Sequence, residues 1–262
     1  MSLKIKNPSL QIQRSYTPLT LSPDEIHLLV KRYPGGELSR FLHVLTPGLA
    51  TVWVNQGRQE WVYEEGEWDH VVFVAGGTGI TPAFQLCMTA LQRQKFRGQV
   101  DPSLRKTKFT VFASARDPQR VLLREEFNVI KQAHGDGYLD VKYFVDRVDK
   151  GTKLPDDIQQ GPITEKIIRE SIAGPSSGLL SWRKSKNVSP QGRVMVLVCG
   201  PDGFTKYIAG EHGGVTEKQG VKGGLLEKVE GIEVFKLLES RNEEFVQPPS
   251  TKPSKMPIMK TQ

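Results

Sequence analysis

The sequence has little cysteine and little histidine, and each scarcity excludes something. Two cysteines in 262 residues cannot build a disulfide framework or a four-cysteine zinc site. Five dispersed histidines include no His-x-x-x-His pair, so no metal ion is expected. Long apolar runs are also lacking. The longest, Val71 to Ala75, has the length of a strand, far from the roughly 18 residues of a membrane span. The opening Met1-Ser2-Leu3-Lys4-Ile5-Lys6 has no apolar h-region, so no signal peptide is expected here. The net charge is +7 and the pI near 9.3, yet no dense Lys/Arg block or stripe occurs. That argues against nucleic acid as a partner. A phosphate-rich cofactor, an acidic redox partner or plain solubility would each account for the charge.

What the chain does contain changes character near residue 67. Before it, the pattern reads as short strands: Leu10 to Leu19 running into a turn at Thr17-Pro18, Ile26 to Tyr33, Ala50 to Val54 and Gln59 to Tyr63. One short helix follows Pro34-Gly35-Gly36, with Leu38, Phe41, Leu42 and Leu45 at helical spacing. After it, strand and helix alternate. Strands are predicted at Val71–Ala75, Lys108–Ala113, Leu139–Val145, Val194–Cys199 and Ile232–Leu238, and helices at Pro82–Phe96, Leu122–Ala133, Thr164–Ile172 and from Asp202. Continuous apolar runs indicate strands covered on both faces, hence a doubly wound parallel sheet. The predicted organisation is a partial antiparallel β-barrel over 1–66, a parallel-sheet domain over 67–238 and a disordered tail over 239–262.

Gly76-Gly77-Thr78-Gly79-Ile80-Thr81-Pro82 joins a buried strand to a helix. Glycines permit a sharp turn and close approach of a ligand. Unbonded amides at the helix start suit an anion such as pyrophosphate. Pro82 fits the first helical turn, where its missing N–H costs nothing. The segment is neither a P-loop, since no Gly-Lys-Ser/Thr ends it, nor Gly-x-Gly-x-x-Gly, since Pro82 stands at the last glycine position. Cys199-Gly200-Pro201-Asp202-Gly203-Phe204 lies at the carboxyl end of another buried strand, the edge where ligands of open α/β sheets bind. Read alone, it serves as well as a core cysteine before a turn. Arg14-Ser15-Tyr16-Thr17-Pro18 offers a permanent charge for phosphate, an aromatic face and a hydroxyl. Gly35-Gly36-Glu37-Leu38-Ser39 is a second glycine-led helix start with a hydroxyl nearby. Gly174-Pro175-Ser176-Ser177-Gly178 spells Gly-x-Ser-x-Gly but follows a helix inside a polar loop, so it is not a nucleophile elbow.

Arg-x-Tyr-Thr, Gly-Gly-x-x-Ser, Gly-Gly-Thr-Gly-Ile-Thr-Pro and Cys-Gly-Pro, in that order, resemble the NADH-cytochrome b5 reductases and their ferredoxin-reductase relatives from about Gln11 to Leu238. Leu122-Leu123-Arg124-Glu125-Glu126-Phe127 is also similar to that family. The resemblance implies an FAD-binding barrel followed by an NAD(P)-binding domain, and hydride transfer from NAD(P)H to FAD. It implies that Arg14 pairs with the FAD pyrophosphate, with Ser15 beside it, that Tyr16 lies against the flavin, and that Thr17 bonds near its N5. Lys31 and Tyr33 would touch the cofactor. Gly35, Gly36, Glu37, Leu38 and Ser39 would hold the pyrophosphate. Gly77, Thr78 and Thr81 would line the nicotinamide groove, with Cys199, Gly200 and Pro201 beside the ring. Asp146 would meet the adenosine ribose, favouring NADH, while Arg116 would suit NADPH.

Only about half of such a barrel fits before Val71, so early strands, and any targeting or membrane anchor with them, are expected to be missing. The Gly223-Gly224-Leu225-Leu226 stretch and the long loop over 174–191 resemble a fungal mitochondrial subgroup that supports haem attachment to cytochrome c. That resemblance implies a mitochondrial inner-membrane location and a haem-protein electron acceptor. The alternatives are a haem-assembly factor with little turnover and a flavin-free nicotinamide dehydrogenase.

Overall fold

A strand whose residues are all apolar must be covered on both faces, and the second part of the chain is built around such strands. In a computed structural model of the chain, residues 2–9, 11–21, 24–46, 48–57, 61–100, 106–134, 137–173, 192–211 and 223–237 are described. They fall into two compact units, one through Val62 and one from Tyr63 to Leu237. The sequence reading placed that boundary after Gly66. The expected tail over 239–262 and the loop over 174–191 lie outside the described residues.

The first unit holds β1 (Leu3–Asn7), β2 (Ile12–Tyr16), β3 (Pro18–Leu21), β4 (Ile26–Leu28), α1 (Glu37–His43) and β5 (Trp53–Gln56). Three strands form an antiparallel sheet in the order β2-β1-β5, and β3 pairs with β4 as a separate hairpin. Ile5 of the central strand is fully buried beneath Leu38 and Leu42 of α1, and Ile12, Tyr16 and Leu28 pack against them.

Several expectations for this unit need correction. Strand β1 was not anticipated. Its Leu-Lys-Ile-Lys alternation puts lysines opposite Ser15, Gln13 and Trp53, and Lys6 Nζ stands 5.5 Å from the centre of the Trp53 ring. The expected turn at Thr17-Pro18 is a break between two strands. Pro18 opens β3, where a strand tolerates a residue without an N–H. The strand expected over Ile26–Tyr33 stops at Leu28, because residues 29–33 lead into a turn closed by Gly36 N–H donating to Tyr33 O at 3.0 Å. No strand covers 61–63, and 58–60 lie outside the described residues.

The second unit contains β6 (His70–Gly76), α2 (Ile80–Val100), β7 (Lys108–Ala115), α3 (Arg124–His134), β8 (Leu139–Val145), β9 (Ile158–Gln160), α4 (Glu165–Ile172), β10 (Val194–Cys199), α5 (Asp202–Ala209) and β11 (Ile232–Leu237). All pairings are parallel, in the order β11-β10-β6-β7-β8-β9. Strand β9 is an addition to the sequence reading. At three residues, only one of them buried, it carries too short a pattern to announce itself. Strand β6 is buried throughout, β10 at every residue but Cys199, and β7 from Phe109 to Ala113. On one face, Val72, Val74, Val196 and Val198 pack with Ile168 and Ile172 of α4 and Ile208 of α5. Elsewhere Phe84 of α2 meets Phe127 of α3 edge-on at 5.3 Å. Thr164 caps α4 through Oγ1, which accepts from Ile167 N–H. Among the described residues no helix is long and apolar enough to cross a membrane.

Candidate functional site

The strand order fixes where this sheet can bind a ligand. From β6 the chain moves outward through β7, β8 and β9, then returns to β10 on the other side of β6 and continues to β11. The two winding directions part between β6 and β10, so a crevice opens outside their carboxyl ends. The turns there are Gly77–Gly79 after β6 and Gly200–Pro201 after β10. Gly77, Thr78, Thr81, Cys199, Gly200 and Pro201, expected from the sequence around the nicotinamide, all belong to these two strand ends.

These turns are pressed together backbone to backbone. A Cβ on Gly79 would lie 2.6 Å from the carbonyl carbon of Cys199 and 2.8 Å from Gly200 N. A Cβ on Gly76 would lie 2.8 Å from the Phe204 ring, and one on Gly200 3.1 Å from Gly76 Cα. Gly77 differs: its φ is 55° and no atom lies within 4 Å of its Cβ position, so a left-handed turn facing open space is what requires glycine there. Thr81, 6% exposed, donates its hydroxyl to Thr78 O at 3.0 Å and holds the turn closed. Opposite, Thr205 N–H donates to Pro201 O at 2.9 Å and Thr205 Oγ1 to Gly200 O at 3.2 Å, fixing the second turn to the start of α5. Sequence reasoning missed Phe204 and Thr205. They look like ordinary first-turn helix residues until the two strand ends are seen together.

Further along the same edge the strand ladder continues past β7 and β8. Asp146 N–H donates to Ala115 O at 3.2 Å, and Arg147 N–H to Arg116 O at 3.0 Å. Arg116 and Asp146 are therefore neighbours on two exposed loop ends. The loop after β8 returns at Asp157, whose carboxylate accepts from Arg124 Nε and Nη2, both at 2.8 Å. That fork pulls the Asp157 carboxyl below its ordinary value, against the opposing effect of burial.

In the first unit, Arg14 is exposed on β2, and its Nη1 donates to Gln13 O at 2.7 Å. Helix α1 packs against β2, the strand that carries Arg14. Gly36 is the N-cap and has no side chain with which to bond the opening amides of α1. Ser39, 6% exposed, accepts from Tyr33 N–H at 3.2 Å and donates to Gly36 O at 3.1 Å, so its hydroxyl ties the turn to the helix. Tyr16 packs against the small core of this unit. Lys31 and Tyr33 are both exposed, the Lys31 Nζ 5.4 Å from the centre of the Tyr33 ring, and they sit on a loop where a strand was expected. Thr17, Ser15 and Gly35 complete the stretch, with Gly35 open to solvent.

Comparison with known proteins agrees with this geometry. Residues 73–210 match the oxidoreductase NAD-binding domain. The chain is 30% identical over 219 residues to NADH-cytochrome b5 reductase 2 of Mycosarcoma maydis, covering 82% of this chain and 54% of that protein. It is 33% identical over 193 residues to NADH-cytochrome b5 reductase 1 of Cryptococcus neoformans, covering 73% of this chain and 58% of that protein. The chain thus spans little more than half the length of these curated relatives. In fold it is similar to the cytochrome b5 reductase domain of Ulva prolifera nitrate reductase, with a TM-score of 0.60 at 20% identity over 90% of this chain and 83% of that one. It is also similar to the CS-b5R domains of human Ncb5or, with a TM-score of 0.55 at 23% identity over 78% of this chain and 54% of that one. The relatives carry the reductase name and lend the haem-attachment alternative no support.

Proposed function

Because the chain belongs to the oxidoreductase NAD-binding domain family, we propose that it is an FAD-dependent NADH oxidoreductase of the cytochrome b5 reductase kind. FAD and NADH are the cofactor pair of such reductases. The observation that carries the reading is the bare-backbone junction of Gly76, Gly79 and Gly200 at the sheet's switch point. At these glycines the two turns close on each other at the sheet edge where a dinucleotide would bind, and Gly77, facing open space, leaves backbone there for a ring or a pyrophosphate to approach.

Bound NADH would supply a hydride from its nicotinamide C4, and FAD would accept it at N5 with a proton from solvent before passing electrons on. The protein's part is to bind and orient. Gly77 and Thr78 leave the mouth of the crevice open, Thr81 and Thr205 keep its two turns in place, and Cys199, Gly200 and Pro201 flank the ring. At the exposed loop ends Asp146 would accept from the adenosine ribose, which favours NADH over NADPH. In the first unit Arg14 and the opening amides of α1 would hold the FAD pyrophosphate, with Tyr16 and Thr17 toward the flavin. A haem protein of cytochrome type is the acceptor in this proposal, and the mitochondrial inner membrane the location, the latter tested by cell fractionation.

Turnover of NADH with ferricyanide and with a b5-type cytochrome tests the reading, and no turnover by the FAD-loaded chain refutes it. A charge-assisted hydrogen bond contributes about 1.5–3 kcal/mol. Arg14→Ala is therefore expected to weaken FAD binding by roughly tenfold to a hundredfold in a flavin fluorescence titration. Unchanged affinity would remove Arg14 from the site.

A further inference from the structure

Phe204, the third residue of α5, lies against two glycines, Gly76 at the end of β6 and Gly200 in the turn after β10. A Cβ on Gly76 would stand 2.8 Å from its Cγ and Cδ1, and a Cβ on Gly200 2.8 Å from its Cδ1. The ring therefore rests on uncovered backbone on both sides of the β6/β10 switch point. It is half-buried, at the margin of the main core. Its neighbour Thr205 ties down the second turn by hydrogen bonds, whereas a phenyl ring acts only through its volume. The two turns already touch backbone to backbone, so the ring does not hold them apart; it fills the space over their junction and braces them there.

We propose that Phe204 is a positioning residue for the nicotinamide: its ring is the brace that holds the touching ends of β6 and β10 in place beside the crevice. This rests on reading that crevice as the nicotinamide site. The adenosine end of the dinucleotide, read at Arg116 and Asp146 beyond β7 and β8, lies away from Phe204 along the sheet edge. Loss of the ring thus disturbs orientation of the reacting end and leaves the anchoring end alone. A misplacement of about 1 Å at a reacting centre lowers rate about 100-fold.

The test compares the FAD-loaded full chain with Phe204→Ala and Phe204→Leu. The flavin-reduction rate at saturating NADH is expected to fall about 30- to 100-fold in Phe204→Ala, with the half-saturating NADH concentration within about threefold of the parent. Leucine, which restores most of the volume, is expected to recover the rate to within about fivefold.

A second readout needs no flavin. Of the two cysteines, Cys87 is fully buried and burial pushes its thiol pKa up, whereas Cys199 is half-exposed, so iodoacetamide alkylation reports on Cys199. NADH is expected to slow alkylation of the parent where AMP does not, and that protection is expected to be lost in Phe204→Ala. Parental reduction rate or retained NADH protection in Phe204→Ala overturns the bracing role. So does a rate that falls in step with affinity and is not rescued by leucine. If the parent shows neither bleaching nor protection by NADH, the nicotinamide reading fails and the bracing role fails with it.

Discussion

Gly79→Ala is expected to slow NADH-driven flavin reduction by at least about 100-fold, the scale on which a small misplacement of reacting groups acts. The obstacle is specific. Gly79 does not lie in the left-handed region, so its backbone conformation admits alanine. Space does not: the new methyl would meet the Cys199 carbonyl carbon at 2.6 Å and Gly200 N at 2.8 Å. Those atoms end β10, a strand paired on one side with β6 and on the other with β11, so they cannot swing aside. The two turns must separate, at a cost of about 1–3 kcal/mol in stability. Gly203→Ala is the control. It lies two positions after Pro201 in the same motif, but no atom stands within 4 Å of its Cβ position. Inside α5 alanine is expected to stabilise by up to about 1 kcal/mol and to leave the rate alone. Stopped-flow reduction and urea midpoints measure both variants. A Gly79→Ala protein that reduces flavin at the parental rate would show that the nicotinamide does not enter at this junction.

Acidification is expected to destabilise the second unit through His70, at the start of β6. The side chain is 5% exposed and its Nε2 lies 2.9 Å from Thr110 Oγ1. Burial, assisted by the nearby positive charge of Lys108, lowers its pKa from 6.5 to about 4. The unfolded chain therefore takes up a proton at a pH where the folded chain refuses it. The stability associated with the neutral ring is fully present above pH 6.5 and is lost as the pH falls through about 4. At 1.36 kcal/mol per unit the loss amounts to about 3 kcal/mol. His70→Gln keeps a group able to bond Thr110 and cannot titrate, so its urea midpoint is expected to change much less between pH 6.5 and 4. An equal pH dependence in parent and variant would assign the acid sensitivity to other groups.

How far the sequence could be read depended on the local physics. Strand β10 was legible to the residue, and β6 nearly so, because only a strand covered on both faces sustains an unbroken apolar run; β8 was legible to the residue from Leu139, Val141, Tyr143 and Val145 at alternate positions. The first unit was harder. Its β1 alternates Leu and Ile with lysines that also belong to a sheet, and its β3–β4 hairpin is only a few residues long on each side. The glycines of Gly76–Gly79 signalled a close approach, as they should. The sequence could not reveal that, for Gly76 and Gly79, what approaches is the backbone after β10 and the ring of Phe204, since those partners come from much further along the chain. The roles suggested for Ser39 and Tyr16 now stand beside what these side chains do in the fold: Ser39 ties a turn to α1, and Tyr16 packs in the small core.

Anaerobic titration of the FAD-loaded full chain with NADH tests the nicotinamide-to-flavin reading most directly. Loss of the flavin's visible absorbance is expected, complete at one NADH per flavin and abolished or slowed at least about 100-fold by Gly79→Ala. A yellow protein whose absorbance is unmoved by excess NADH would contradict it.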